Sequence, residues 1–318
     1  MKISCITPDR KRDFLCETIL EGLHELGHDL IVSDPGNGFC KYTMIDGTFR
    51  EHLQTSDLLL CFFGKVRDNR PPRRYFVTDG GFPREKIAYI DGSEWNFEGN
   101  STPRQVVDSL DDPTKRRGEP WIDEEMMEQC GHYFKREAYP YDVSHRGVIP
   151  LPFALCDRHI VGTHAKDIDV FCSFGQITTG LRREALIAVE DFRTANPSLN
   201  IVTRNDLKPD EYKEHLGRSR VVVDAWGGGD TCDRFWEGIG AGACVLYQRY
   251  NIVMPNPFVD FEHAVSFSSM SEFSDNLQRL VFNEGESESI TTNGLEHAVE
   301  FHFAKHRAER ILREFSTV

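Results

Sequence analysis

The stretch from Trp226 to Glu237, WGGGDTCDRFWE, sets three consecutive glycines, Gly227, Gly228 and Gly229, directly before a helix expected to begin near Asp230 or Thr231. Glycine lets the backbone approach an anion closely, and a helix N-terminus offers unpaired N–H groups and partial positive charge. A diphosphate fits such a loop. Arg234 and Glu237 stand three residues apart and so share one face near the start of that helix. A guanidinium can take phosphate oxygens in pairs, and a carboxylate one turn deeper can accept two hydrogen bonds from a ribose diol. From these residues alone, an intrahelical ion pair beside a flexible loop accounts for the pattern equally well.

A second loop, SFGQITTGLRREAL, places Gly175, Thr178, Thr179 and Gly180 ahead of Arg182 and Arg183. Two arginines in a helix's first turn oppose its dipole, a placement that suits an anion. For Arg183, an ion pair with Glu184 or a surface acid is the plainer account. Arg204 and Asn205 close the strand LNIVTR and could edge a base pocket, although polar residues are common at strand ends. In the first half, Asp91, Gly92, Ser93 and Glu94 follow the apolar run KIAYI. A carboxylate there is placed to take a proton from an acceptor hydroxyl; an Asx turn with solvated acids fits as well. Basic residues gather at Lys65, Arg67, Arg70, Arg73 and Arg74, and again at Arg10, Lys11 and Arg12. Either group would face an anionic acceptor or form a solvated loop.

Asp167-Ile168-Asp169 has the Asp-x-Asp form that can hold a divalent cation, but it comes before its apolar strand and so falls at the wrong end of a parallel sheet. Asp230 and Asp233 are better placed, yet acids in a helix's first turn are favoured simply as caps and dipole partners. The arginines and the helix N-terminus already supply positive charge, so no metal is expected.

The elements that would position these residues alternate. KISCIT reads as a strand, Phe14 to Leu26 as an apolar-periodic helix and DLIVSD as a second strand, a βαβ unit of the kind that builds parallel sheets. DLLLCFFG and KIAYID continue it. Residues 133 to 155, with Pro140, Pro150 and Pro152, break the rhythm and look like an interdomain crossing. Beyond them come the strand DVFCSFG, a helix from about Leu181 to Ala195, LNIVTR, a short helix over Asp210 to Leu216, RVVVDAW, a helix over Thr231 to Ala241 and the strand CVLYQ. AVSFS then leads into a helix announced by the capping box Ser269-x-x-Glu272. LEHAVEFHFAKHRAERILREF reads as one long closing helix with a buried stripe.

RFWEGIGAGACVLY and the terminal HFAKHRAERILREF resemble the C-terminal domain of GT-B glycosyltransferases, especially those grouped with the spore-maturation-type (CgeB-like) family. The resemblance covers roughly residues 155 to 316, with its elements in the family's order. It implies an α/β fold of the GT-B type, two Rossmann-like domains facing each other across a cleft. Residues 1–145 would hold the acceptor, 155–295 the donor, and 296–318 would pack back on the first domain. It implies that Glu237 binds the donor ribose and that the glycine loop and following helix hold the diphosphate. The donor set is then Gly175, Thr178, Arg182, Arg204, Gly228, Gly229, Asp230, Thr231, Arg234 and Glu237. Arg67 and Arg70 would meet the acceptor, and Asp91, Glu94 and Asp230 are the candidate catalytic carboxylates. Many retaining members carry another Glu eight positions before the ribose Glu. That position is Gly229 here, beside Asp230, which leaves the sugar and the stereochemistry open.

Composition sets the outer bounds. At 318 residues with 39% hydrophobic content, two domains with their own cores are expected. The net charge of −14 argues against general nucleic-acid binding, which draws on phosphate-neutralising Lys and Arg. Nine cysteines stand singly, several inside apolar runs, as buried reduced thiols do. No apolar stretch approaches the roughly 18 residues a membrane span needs, so a cytoplasmic protein is expected. The expected function is transfer of a sugar from a nucleoside diphosphate donor, UDP-linked, to an acceptor hydroxyl. No resident cofactor is expected, since the donor is a co-substrate. The acceptor could be a glycan, a lipid-linked sugar or DNA carrying a hydroxymethylated base. A sugar-nucleotide epimerase or hydrolase and a non-catalytic binding module are the rivals on the same fold.

Overall fold

The structure, a computed structural model, describes residues 1–8, 13–33, 49–63, 81–93, 122–162, 164–175, 181–227 and 231–316. Arg67, Arg70, Glu94, Thr178, Gly228, Gly229 and Asp230 lie outside the described residues.

The first half runs β1 (Lys2–Ile6), α1 (Phe14–Glu25), β2 (Asp29–Val32), α2 (Phe49–Leu53), β3 (Leu58–Phe63), β4 (Ile87–Asp91), α3 (Glu124–Gln129), β5 (His132–Lys135) and β6 (Ile149–Pro150). Its strands pair in parallel in the order β2-β1-β3-β4-β5-β6. A parallel sheet covered on both faces wants continuous apolar strands rather than alternating ones. LLLCFF and IAYID are of that kind, and β4 is buried throughout. α1 begins where the Asp13 side chain accepts from the Cys16 amide at 2.9 Å, and the chain leaves it through Gly27 at φ 76°, a conformation that favours glycine.

The second half runs β7 (Ile168–Phe171), α4 (Leu181–Ala195), β8 (Ile201–Val202), α5 (Pro209–Arg218), β9 (Ser219–Asp224), α6 (Asp233–Gly240), β10 (Cys244–Gln248), β11 (Val265–Phe267), α7 (Met270–Phe282), α8 (Glu284–Phe301) and α9 (Ala304–Ser316). These strands form a separate parallel sheet, β11-β10-β9-β7-β8. Ahead of α7 the expected capping box is only half formed: Ser269 Oγ accepts from the Glu272 amide, but Glu272 Oε2 accepts from the Ser268 amide, one residue before the N-cap.

Two further expectations change. Residues 133 to 155 are not a plain crossing, because β5 and β6 extend the first sheet and the chain leaves it only after Pro150. The closing segment is not one helix. It starts earlier, at Glu284, and breaks between Phe301 and Ala304. The break has a cause: the His302 carbonyl accepts from the Leu155 amide at 2.8 Å, and the His302 ring bonds to the Asn256 carbonyl and to Arg307. α9 then lies along α1, and buried Arg307 donates to the carbonyls of Pro152 and Phe153 at 2.9 Å. Burial lowers the Arg307 pKa to about 9. The end of the chain is thereby tied to the segment that joins the two sheets.

Candidate active site

In the second sheet the strand order reverses between β7 and β9, and ligands of open parallel sheets bind at such a switch point, outside the carboxyl ends of the strands. Phe174 follows β7 there, Asp224 ends β9, and α6 starts just beyond. Two guanidinium groups converge on this point. Arg234 lies over the Phe174 ring at 4.9 Å and Arg182 near it at 5.5 Å. Arg182 is fixed by donating from Nε to the Ala225 carbonyl at 3.1 Å and from Nη2 to Cys232 Sγ at 3.3 Å. It also borders Gly227, where an added Cβ would stand 2.5 Å from Nη2. Arg234 sits deeper, its Nη1 3.5 Å from Asp224 Oδ1, and its Nε and Nη1 are buried without a hydrogen bond.

Burial raises the Asp224 carboxyl to about 6, against the pull of Arg234 and Arg182. Asp224 and Glu237 both lie within electrostatic reach of Arg234, so the switch point pairs buried acids with buried guanidinium groups. On the same face of α6, Glu237 Oε2 accepts from the Tyr212 hydroxyl at 2.7 Å. Burial raises the Glu237 pKa, and the Tyr212 bond and Arg234 act against that rise.

The first half reaches this point through the residues after β5. Glu137 Oε1 accepts from the Thr231 amide at 3.4 Å and from its hydroxyl at 3.3 Å, and Arg136 Nη2 lies 3.3 Å from the same oxygen. Both side chains are almost fully buried. A buried carboxylate in contact with the residues just before α6 thus comes from the other half of the chain, which the sequence did not signal.

Of the residues singled out from sequence, Arg182, Thr231, Arg234 and Glu237 come together here. Gly175 follows Phe174 and is exposed, with open space around it. Arg204 is exposed and paired with Asp206 at 2.9 and 3.2 Å, away from this cluster's hydrogen bonds. Asp91, expected to take an acceptor proton, is closed off. Its Oδ2 accepts from Tyr133 at 2.7 Å and from Lys135 at 2.9 Å, and its Oδ1 accepts from the Ser93 amide at 2.8 Å. With no exposed surface and both oxygens engaged, it secures the end of β4 and has no reach to a hydroxyl in the cleft. Asp167 and Asp169 are held by Arg218 and Arg220 at the start of β7. Asp233 is taken by Arg158 and by His159 Nε2, each at 3.1 Å. Since His159 Nδ1 accepts from the Cys156 amide, Nε2 is the donor.

The comparisons with known proteins agree with this architecture. Residues 164–313 match the sequence profile of a family described as glycosyl transferase-like. No curated protein matches the chain by sequence. Among solved structures, Anabaena HepE in complex with UDP-glucose superposes with a TM-score of 0.62 at 9% identity, covering 100% of both chains. A glycosyltransferase from Rickettsia africae gives 0.59 at 8% identity, covering 99% of this chain and 98% of its own. Sucrose-phosphate synthase from Thermosynechococcus elongatus gives 0.58 at 11%, covering 100% and 98%. At such identities the likeness is one of fold: this chain has the two-sheet GT-B fold, and its second half carries the glycosyl transferase-like sequence. Among the described residues, no helix is long and apolar enough to cross a membrane.

Proposed function

We propose that this protein moves a sugar from a nucleoside diphosphate donor, UDP-linked, to an acceptor hydroxyl. The half that carries the first sheet, which extends to Pro150, holds the acceptor, residues 155–295 hold the donor, and α9 returns the chain to the first half along α1. One observation carries this reading: two guanidinium groups and a carboxylate suited to a ribose diol converge at the switch point of the second sheet, beside the start of α6. Arg182 lies nearest the glycine loop and meets the diphosphate, while Arg234 adds charge from beneath. A leaving diphosphate is stabilised by fixed donors and positive charge already in place. UDP is favoured as the carrier because the HepE structure is described as a UDP-glucose complex.

The transfer runs without a metal ion in this reading. Asp169 and Asp233, the acids nearest a metal-binding pattern, already serve Arg220, Arg158 and His159. With Asp91 engaged, Glu94 and Asp230 remain our candidates for the acceptor's base and for a contact to the donor sugar. Among the described residues the cysteines form no disulfide and most are buried, which suits a cytoplasmic protein.

A thermal-shift screen against nucleoside diphosphates and their sugars tests the proposal. A ligand at a hundred times its dissociation constant adds about 2.7 kcal/mol. For a chain of this size that is a rise of roughly 4 °C. The expected hit is UDP or a UDP-sugar, with turnover that requires an acceptor. Donor consumed without acceptor would point to an epimerase or hydrolase, and no shift with any nucleotide contradicts the proposal.

A further inference from the structure

We infer that Tyr212 is a positioning residue that fixes the Glu237 carboxylate toward the ribose hydroxyls of a nucleoside diphosphate. The inference rests on the donor site proposed above. Tyr212 lies in the first turn of α5, which opens at Pro209, where the fixed backbone angle of proline suits a helix start. Its ring packs against Phe171 of β7, with centroids 5.4 Å apart, so the phenol is held by the sheet itself. From there the hydroxyl donates to Glu237 Oε2 at 2.7 Å, across the 25 residues that separate the two in sequence. The Tyr212 bond engages one of the two carboxylate oxygens, Oε2.

The consequence is geometric. An unrestrained Glu side chain samples several rotamers and loses that freedom when it binds a ligand. A carboxylate already clamped at one oxygen has its orientation set before the ligand arrives. Its remaining lone pairs can then accept from a diol, and a ligand without those hydroxyls would leave them unpaired. A site built to bond a hydroxyl rejects the analogue that lacks it.

The test is calorimetric titration of UDP and of 2′,3′-dideoxy-UDP into the wild-type protein, Tyr212→Phe and Glu237→Gln. The wild type should favour UDP. Tyr212→Phe should weaken UDP binding about five- to tenfold, the scale of an ordinary hydrogen bond because Tyr212 acts on the ligand only through Glu237, and leave the dideoxy analogue unchanged. The preference ratio then shrinks by the same factor, which a loss of general stability would not produce, since that would lower both affinities together. If Glu237→Gln removes the preference and Tyr212→Phe keeps it, the role of Tyr212 is overturned while the ribose assignment stands. If the wild type makes no distinction between the two ligands, or binds neither, the ribose assignment fails and this inference fails with it.

Discussion

Arg182 and Gly227 constrain each other at the level of single atoms. A Cβ at position 227 would meet the Arg182 guanidinium, the far end of a flexible side chain, so the fold can accommodate it while the arginine cannot stay. Gly227→Ala should therefore weaken donor affinity about tenfold, the scale of one charge-assisted contact, with a melting temperature within a few degrees of wild type. Calorimetry and a thermal melt on the same sample check both halves. Asp233 gives a prediction in pH. Burial alone would raise its carboxyl, but His159 and Arg158 overcome that and hold it at about 2, below the ordinary 3.8. Because the folded value is the lower one, its contribution is present above about pH 4 and is lost as the pH falls toward 2. Asp233→Asn should lose about 1 to 2 kcal/mol at neutral pH and show a shallower decline between pH 4 and 2, read from denaturant melts across that range. Arg234 and Glu237 were legible in the sequence because one helix turn puts them on a shared face. Glu137, Asp224 and Tyr212 were not, because they reach the site from other elements. Asp224 did leave a signal, an acid that ends the apolar run VVV just before the glycines.

At the scale of elements, the periodicity was a good guide where one face is buried and a poor one where a tertiary contact interrupts it. α4 spans Leu181–Ala195 as its apolar spacing suggests. The closing helix breaks at His302, whose carbonyl accepts from Leu155 while its ring is held by Asn256 and Arg307, and nothing in the local sequence announces those partners. Pro140, Pro150 and Pro152 suggest a crossing, yet a proline at a two-residue edge strand costs little, and β6 ends on one. The seam between α1 and α9 is the most demanding of these contacts. A Cβ on Gly22 would stand 2.3 Å from the Ala304 carbonyl oxygen, and backbone cannot give way as a side chain can. Gly22→Ala should destabilise the protein by about 2 kcal/mol, since overpacking outweighs the gain of alanine in a helix. Chemical denaturation checks it, and wild-type stability would show that α9 does not depend on this close approach.

Across the whole molecule, the stretch after β5 touches the residues just before α6 through Glu137 and Thr231, beside an apolar cluster that draws on both sheets. The donor's negative charge would be met by arginines and backbone amides, so activity should survive EDTA and metal stripping. Activity that vanishes and returns with Mg²⁺ or Mn²⁺ would instead make Asp230 a metal ligand. The central claim is that the second domain binds a nucleoside diphosphate through Arg234 and Glu237. Titrating UDP into the wild-type protein and into the Arg234→Ala/Glu237→Ala double variant measures it most directly. Each side chain is worth roughly 1.5 to 3 kcal/mol, so saturable one-site binding in the wild type should weaken at least a hundredfold in a double variant that remains folded. Equal affinity in the two proteins would contradict the account.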